Sequence, residues 1–438
     1  MRKSGFTLIE LMVAMVVGLT AITSVYSLGA AMSEQFYEEQ RTATSQGSSR
    51  AAIMELRRDI SRAGLFGSPN AQREDRCETG LPAQPSLPTF DGGPIAMGAF
   101  QYYPDADIAV LGGNNPGRVR ADRLRVLTSL YLTDQLLIDS VTPDGQTLIL
   151  QTGNQAYRRT FAWGQAAGPF TGSAPNYLTG DDLIGAGAAN WNGIGQNGAR
   201  AFQTNSVLHI ESPEGYHFFR TNFVKVANAQ NQVRLRVNPA LPVATACLPG
   251  AGEGSTVAPL QWVEYALVDP FTNDALAVGS NFMDFEAFFD VAGTNALLET
   301  GFGTAGEGAL REQGNVMLVR RILDPVNGNV RPNTTQVLAE FVSNFEVSFL
   351  VDRRSGTTTA PLAPLMEAET SINNIPEQVR SVLINLGIRS PLEDPSIPFA
   401  GVNNNNTRFE VNPLERGSAR VRHIRIEIPV MSVARRNL

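Results

Sequence analysis

The sequence predicts an α+β fold in which a long N-terminal helix, transmembrane in its first part and amphipathic in its second, packs on a mainly antiparallel β-sheet head with long loop insertions. Three observations predict it. No proline occurs from Phe6 to Ser68, so nothing breaks a helix there. Eleven later stretches are β-rich or alternate apolar and polar residues with period two. Gly- and Asn-rich tracts with little periodicity separate some of them.

Composition narrows the function classes before any motif is read. The chain has 438 residues, 35 Lys plus Arg against 42 Asp plus Glu, and a net charge of −7, which argues against a general nucleic-acid binder. Its 43% hydrophobic content can fill a core, so overall disorder is excluded, and the length allows up to about three domains. Only Lys3 and Lys225 are lysines, so the basic chemistry is almost all Arg.

The N-terminal element is justified first. Between Phe6 and Met32 the polar or charged residues are Thr7, Glu10, Thr20, Thr23, Ser24 and Ser27. The charge-free run of 22 residues from Leu11 to Met32 is about 33 Å long as a helix, against a hydrocarbon core of about 30 Å. Arg2 and Lys3 precede it with no offsetting acid, which puts the N-terminus in the cytoplasm and the rest outside. An ordinary signal peptide would place its small-residue cleavage site after the apolar stretch. Here the small residue, Gly5, comes before it, and a cut near residues 28–31 would leave Glu10 unexplained. A carboxylate at that depth costs several kcal/mol unless paired, so a positive partner at the same level is expected; otherwise Glu10 snorkels to the nearby interface.

The helix is expected to continue to about Ala63. Ile53, Leu56, Ile60 and Gly64 recur at three- and four-residue spacing, with Arg50, Glu55, Arg57, Arg58, Asp59 and Arg62 distributed around them. Gly64, Gly67 and Pro69 supply the stop. A helix over 6–63 is roughly 87 Å long.

These residues carry a resemblance. Lys3-Ser4-Gly5 followed by Phe6-Thr7-Leu8-Ile9-Glu10-Leu11 resembles the class III signal of type IV pilins and type II secretion pseudopilins. The resemblance implies a prepilin peptidase cutting between Gly5 and Phe6, N-methylation of Phe6, and a retained apolar helix that anchors in the membrane and then packs a filament core. The ammonium created at Phe6 would supply the partner of Glu10 on a neighbouring subunit, which sets axial register. The implied division is a leader at 1–5, a helix at 6–64 with 6–32 as transmembrane span and filament core, and an exported head at 65–438 carrying an insertion at 153–206. Arg58-Asp59-Ile60 with Ala63-Gly64, and the tail from Arg422-His423-Ile424 to Arg436-Asn437-Leu438, are similar to minor pilins of the PilW kind. Ser68 stands where many such relatives have a Cys, and Ser27 where major pilins often have a helix-loosening Pro.

Strands are expected at 123–129, 136–141, 147–151, 207–211, 217–226, 232–237, 260–268, 316–323, 345–351, 379–388 and 421–430, with Pro143-Asp144-Gly145 turning one hairpin. Residues 153–205, 292–314 and 403–406 read as loops on the head surface, tolerated insertions or a partner-binding tip. Cys77 and Cys247 are the only cysteines. An even count in an exported head favours a disulfide, closing a loop of about 170 residues.

The search for catalysis is negative. His209, His217 and His423 form no metal-ligand pair, and no nucleophile elbow, Walker loop or Cys-x-x-Cys occurs. The segment from Gly301 to Gly306 has the letters of a dinucleotide loop but neither the preceding strand nor the following helix. Asp181 and Asp182 read as solvated loop acids. No cofactor or metal is expected; calcium on head loops stays open, since oxygen ligands abound.

The expected function is therefore that of a non-enzymatic minor pilin, priming, capping or joining a type IV pilus and supporting twitching motility, adhesion or DNA uptake at the level of the machine. Its expected partners are the prepilin peptidase, other minor and major pilins and the inner-membrane assembly platform, with no direct nucleic-acid contact. Its expected place is the inner membrane, N-terminus in and head periplasmic, and then the pilus or cell surface. The alternatives are a type II secretion pseudopilin and a pilus-borne adhesin or DNA receptor.

Overall fold

The computed structural model describes residues 8–67, 89–90, 93–94, 98–107, 120–130, 135–151, 156, 183–184, 207–212, 215–227, 232–238, 254–268, 316–323, 328, 330–331, 334–351, 365–367, 372–373, 375–390, 408–409 and 418–430. One helix, α1 (Leu8–Ser61), runs for 54 residues without a break. Eighteen strands follow among the described residues: β1 (Thr89–Phe90), β2 (Gly93–Pro94), β3 (Phe100–Tyr103), β4 (Arg123–Thr128), β5 (Leu136–Val141), β6 (Thr147–Leu150), β7 (Leu183–Ile184), β8 (Val207–Ser212), β9 (Gly215–Ala227), β10 (Gln232–Asn238), β11 (Thr256–Val268), β12 (Met317–Leu323), β13 (Gln336–Ala339), β14 (Val342–Val351), β15 (Leu365–Glu367), β16 (Val379–Arg389), β17 (Arg408–Phe409) and β18 (Ala419–Pro429). An N-terminal apolar helix plus mostly antiparallel sheet is the observed architecture.

The larger sheet has eleven strands and is organised by β11, whose length lets it serve two sets of neighbours. Its first half pairs with β5 and β8, and its second half with β4 and β12. The five-stranded sheet runs β15-β14-β16-β18-β17. All eleven expected strands are present. The five-stranded sheet joins the larger one through a parallel bridge between Ala121 and Phe345. Phe345 N–H donates to the Arg120 carbonyl at 2.7 Å, and Asp122 N–H to the Phe345 carbonyl at 3.0 Å. Buried Asp122 reinforces the seam by accepting from Tyr102 Oη at 2.9 Å and from the N–H groups of Asp105 at 3.0 Å and Val347 at 2.8 Å.

The expected hairpin at Pro143-Asp144-Gly145 is formed: β5 and β6 pair antiparallel, Gly145 takes a φ of 67°, and its N–H donates to the Thr142 carbonyl at 2.8 Å. The insertion at 153–206 is not purely a loop, because β7 lies inside it and pairs with Lys225 and Val224 of β9. Those two residues were too few for alternation to mark them.

The main core lies where α1 meets both sheets. Ala52, Leu56 and Ile60 of the helix and Ala63 just past its end are fully buried with Leu124, Val126, Val263 and Tyr265 of one sheet and Phe345, Phe349, Val382, Ile384 and Leu386 of the other. Phe349 packs edge-on against Phe100 and Tyr102, with ring centroids 5.8 and 5.3 Å apart. The buried stripe differs from the expected one: Ile53 is only half-buried, while Ala52, Asp59 and Ala63 are inside. Asp59, expected on the flank of the stripe, sits within it.

Candidate functional site: the N-terminal helix

The helix has two halves that meet different surroundings. A 19-residue stretch, Leu11–Gly29, is apolar enough to cross a membrane, and none of it is buried within the chain. Leu19 is 66% exposed, Ile22 70% and Tyr26 79%. Its few hydroxyls are bonded back to the helix itself: Thr20 Oγ1 donates to the Val17 carbonyl at 2.9 Å, Ser24 Oγ to the Thr20 carbonyl at 2.8 Å, and Ser27 Oγ to the Ser24 carbonyl at 2.9 Å. The rod therefore presents an almost wholly apolar surface, suited to lipid or to other apolar helices.

The second half is fixed to the head by one buried polar clamp inside an apolar stripe. Asp59 Oδ2 accepts from Arg320 Nε of β12 at 2.6 Å and from the Tyr265 hydroxyl of β11 at 2.8 Å. Arg58 Nε reaches the other oxygen at 3.1 Å and also pairs with Glu55. Burial, then Asp59, pushes the Tyr265 phenol well above its ordinary value; burial opposes the charge of Arg320, but Asp59 and Tyr265 together hold its guanidinium above its own ordinary value. The helix end is tied by backbone: Gly64 N–H donates to the Leu127 carbonyl of β4 at 2.8 Å, and Thr128 Oγ1 donates to the Arg62 carbonyl at 2.8 Å. Gly64 has a φ of 71°, the left-handed turn that ends the helix.

The opposite face of the same sheet carries a second set of buried charges. Adjacent residues on a strand point to opposite faces, so Arg320 reaches the helix and Arg321 turns away from it. Glu264 stands directly opposite Arg125 on β4 and Arg321 on β12. Its carboxylate bonds Arg125 Nε at 2.6 Å and Arg321 Nε at 2.7 Å. Burial opposes ionisation of Glu264, but Arg321, then Arg125, outweigh it and hold the carboxyl below its usual range. Asp107 pairs with Arg123 and accepts from Leu267 N–H at 3.2 Å, yet burial keeps its carboxyl raised. Burial likewise raises Asp122 despite its three donors.

Of the residues singled out in the sequence, Glu10 lies in the first described turns of α1. Gly5, Phe6, Cys77, Cys247, Asp181, Asp182, residues 301–306 and the tail beyond residue 430 lie outside the described residues. His209 is buried in β8, and His423 of β18 places Nδ1 3.3 Å from Asn385 Oδ1. Among the described residues no group of His, Cys, Asp and Glu is arranged to hold a metal. The clamp at Asp59 was missed, although an acid inside an apolar helical stripe and Glu264 inside an apolar strand were signals that each needs a buried cation.

The family model for the prokaryotic N-terminal methylation motif matches residues 1–26. No curated protein and no solved structure matches the chain. The matched motif is a type IV pilin-like prepilin signal, and it marks pilin- or pseudopilin-like proteins, which are processed by prepilin peptidase and assemble with other pilins.

Proposed function

We propose that this chain is a minor pilin of a type IV pilus, of the PilW kind, and that it acts without enzymatic activity or cofactor. One observation carries the reading: the methylation motif runs directly into a helix whose Leu11–Gly29 stretch is unburied by its own chain and whose later half is anchored in a large head. A rod left bare by its own head is suited first to a bilayer and then to sibling rods, while the head stays on the exported side. Cleavage between Gly5 and Phe6 and methylation of Phe6 would remove the charges of Arg2 and Lys3 and leave one ammonium at the rod's tip. Glu10 of the neighbouring rod then neutralises it in a low-dielectric bundle.

Mass spectrometry of the mature N-terminal peptide tests the processing, with a chain starting at N-methylated Phe6 as the expected result. A product that begins downstream of Met32 would overturn the reading. Glu10→Ala is expected to leave processing and insertion intact and to block incorporation into filaments. The type II secretion alternative shares the whole rod, so the head decides: loss of pili on deletion of the gene supports the pilus, whereas loss of exoprotein export with pili intact supports the pseudopilin.

A further inference from the structure

The five-stranded sheet ends in an open edge. β18 pairs with β16 at nine consecutive positions, Val421 to Pro429, without a bulge. Ser390 N–H donates to the Arg420 carbonyl at 2.9 Å and Val430 N–H to the Arg380 carbonyl at 2.9 Å, so the even-numbered residues of β18 direct their backbone groups at β16 and the odd-numbered ones turn theirs outward. On that outer side β17 reaches only Ala419 and Arg420. Among the described residues no strand meets the outward backbone groups of Arg425 and Glu427. Other edges are short: β13 has four residues and lies against α1, and β15 has three.

This edge is lightly defended. Proline, bulges and charges are what keep a foreign strand from adding to a sheet. Here Pro429 stands at the last position, and from Val421 to Ile428 there is no proline, glycine or bulge. The two faces of the strand differ. Ile424 and Ile426 are half-buried on the face that packs on α1, Ile426 against the main core. On the other face Glu427 accepts from Ser381 Oγ at 2.7 Å, while Arg425 is exposed and has no ion-pair partner among the described residues. An added strand would cover two isoleucines on one face and set one residue against that guanidinium on the other. Those positions call for apolar side chains at alternate sites with an acid between them.

We propose that the edge of β18 from Val421 to Glu427 accepts an extended segment of a different pilus subunit, one that carries apolar residues at alternate positions and an acid opposite Arg425. The prepilin-type signal brings other pilins alongside α1, and β18 packs on the same helix, so a neighbour seated on the rod lies next to this edge. A second copy of this chain does not fit an all-antiparallel sheet. Antiparallel pairing of two β18 edges turns one subunit by half a revolution about an axis normal to the joint sheet. Both helices then lie on one face and point in opposite directions, whereas rods anchored in one membrane are parallel. The proposal rests on the assembly reading and adds a main-chain contact of the head to it.

The test uses the full chain in the membranes of cells with the assembly machinery intact. A photo-crosslinking amino acid replaces the exposed Glu427, and captured chains and peptides are identified by mass spectrometry. The expected capture is a chain that itself carries a prepilin-type signal, crosslinked through a segment of alternating apolar residues that includes an acid. Arg425→Pro removes an outward N–H that no described strand uses, so the denaturant midpoint of the head should stay near that of wild type while capture falls about tenfold. Arg425→Glu keeps the N–H and sets like charges together, and capture should fall about threefold; it remains decisive if the head unfolds in Arg425→Pro. Capture of a second copy of this chain, capture only of proteins without such a signal, no capture, or capture indifferent to both substitutions would each overturn the proposal. The identity of the captured chain tests the minor-pilin reading separately. A subunit of a secretion machine sinks that reading and leaves the edge pairing standing, whereas pili that depend on this chain in the absence of capture sink the pairing and leave the reading standing.

Discussion

Leu19 and Leu56 are the same residue type on the same helix, one 66% exposed and the other fully buried. The difference between their surroundings is the difference between two ways of stabilising a helix. From Ser49 to Ala63 the stabilisation comes from within the chain: an apolar stripe, a buried clamp and a backbone-bonded end. Over Leu11–Gly29 none of the described residues covers the apolar surface, so its stabilisation must come from outside. A helix continuous through both regimes is a coupling rod, its lower half answering to membrane or neighbours and its upper half carrying the head at a fixed rotation.

The largest effects are expected where the head's own charges are broken. Asp59→Ala leaves Arg320 buried without its counter-charge and should cost about 3–5 kcal/mol in denaturant unfolding of the head. Glu264→Gln should cost a similar amount by stranding Arg125 and Arg321, and it adds a pH signature. The folded carboxyl of Glu264 lies below its unfolded value, so its contribution is fully present above about pH 4.3 and is lost as pH falls through the folded value. The stability gap between wild type and Glu264→Gln should therefore narrow on acidification below about pH 4. Asp107 and Asp122 are raised by burial and act oppositely: their ionisation costs stability above the ordinary Asp value, and acid relieves that cost. A gap that stays constant down to pH 2 would show that Glu264 is not held charged.

Leu56→Ala comes next, at about 2–5 kcal/mol, because it opens a cavity between the helix and both sheets. Two glycines then sharpen the contrast. Gly64→Ala forces a left-handed turn on a residue with a Cβ and should destabilise the head by about 1–2 kcal/mol. Gly18→Ala adds a methyl into open space in an ordinary helical position, and should stabilise the helix by about 0.5–1 kcal/mol. Opposite signs from one substitution would confirm that the two halves obey different constraints; equal signs would refute it.

The rod and the long strands were legible because both write a period into many consecutive residues. The 22-residue apolar run and the alternation in β11, β16 and β18 are such signals. Missed were β1, β2, β3, β7, β13, β15 and β17, where two to four residues give at most two turns of alternation. The buried charges were illegible for another reason. Asp59 meets Arg320 across 261 positions, and Arg125 meets Glu264 across 139, so only the register of β4, β11 and β12 brings them together. What the residues did disclose was the misfit itself, an acid where an apolar neighbour belonged. The methylation motif lies at the other extreme, since a contiguous tract read by a peptidase is necessarily legible in order along the chain.

The smallest expected effect tests the comparison most directly. Leu19→Ala removes as many atoms as Leu56→Ala and from the same helix, yet it takes away no contact with the rest of the chain. Alanine also has slightly the better helix propensity. Unfolding of the head should therefore change by less than about 0.5 kcal/mol, measured on the full chain in membranes or detergent. A loss near that of Leu56→Ala would mean that the apolar half of the rod is packed by its own head, and the need for outside partners would vanish with it. An unchanged head together with weaker retention in the membrane or filament would place the whole cost of the missing methyls on the rod's neighbours.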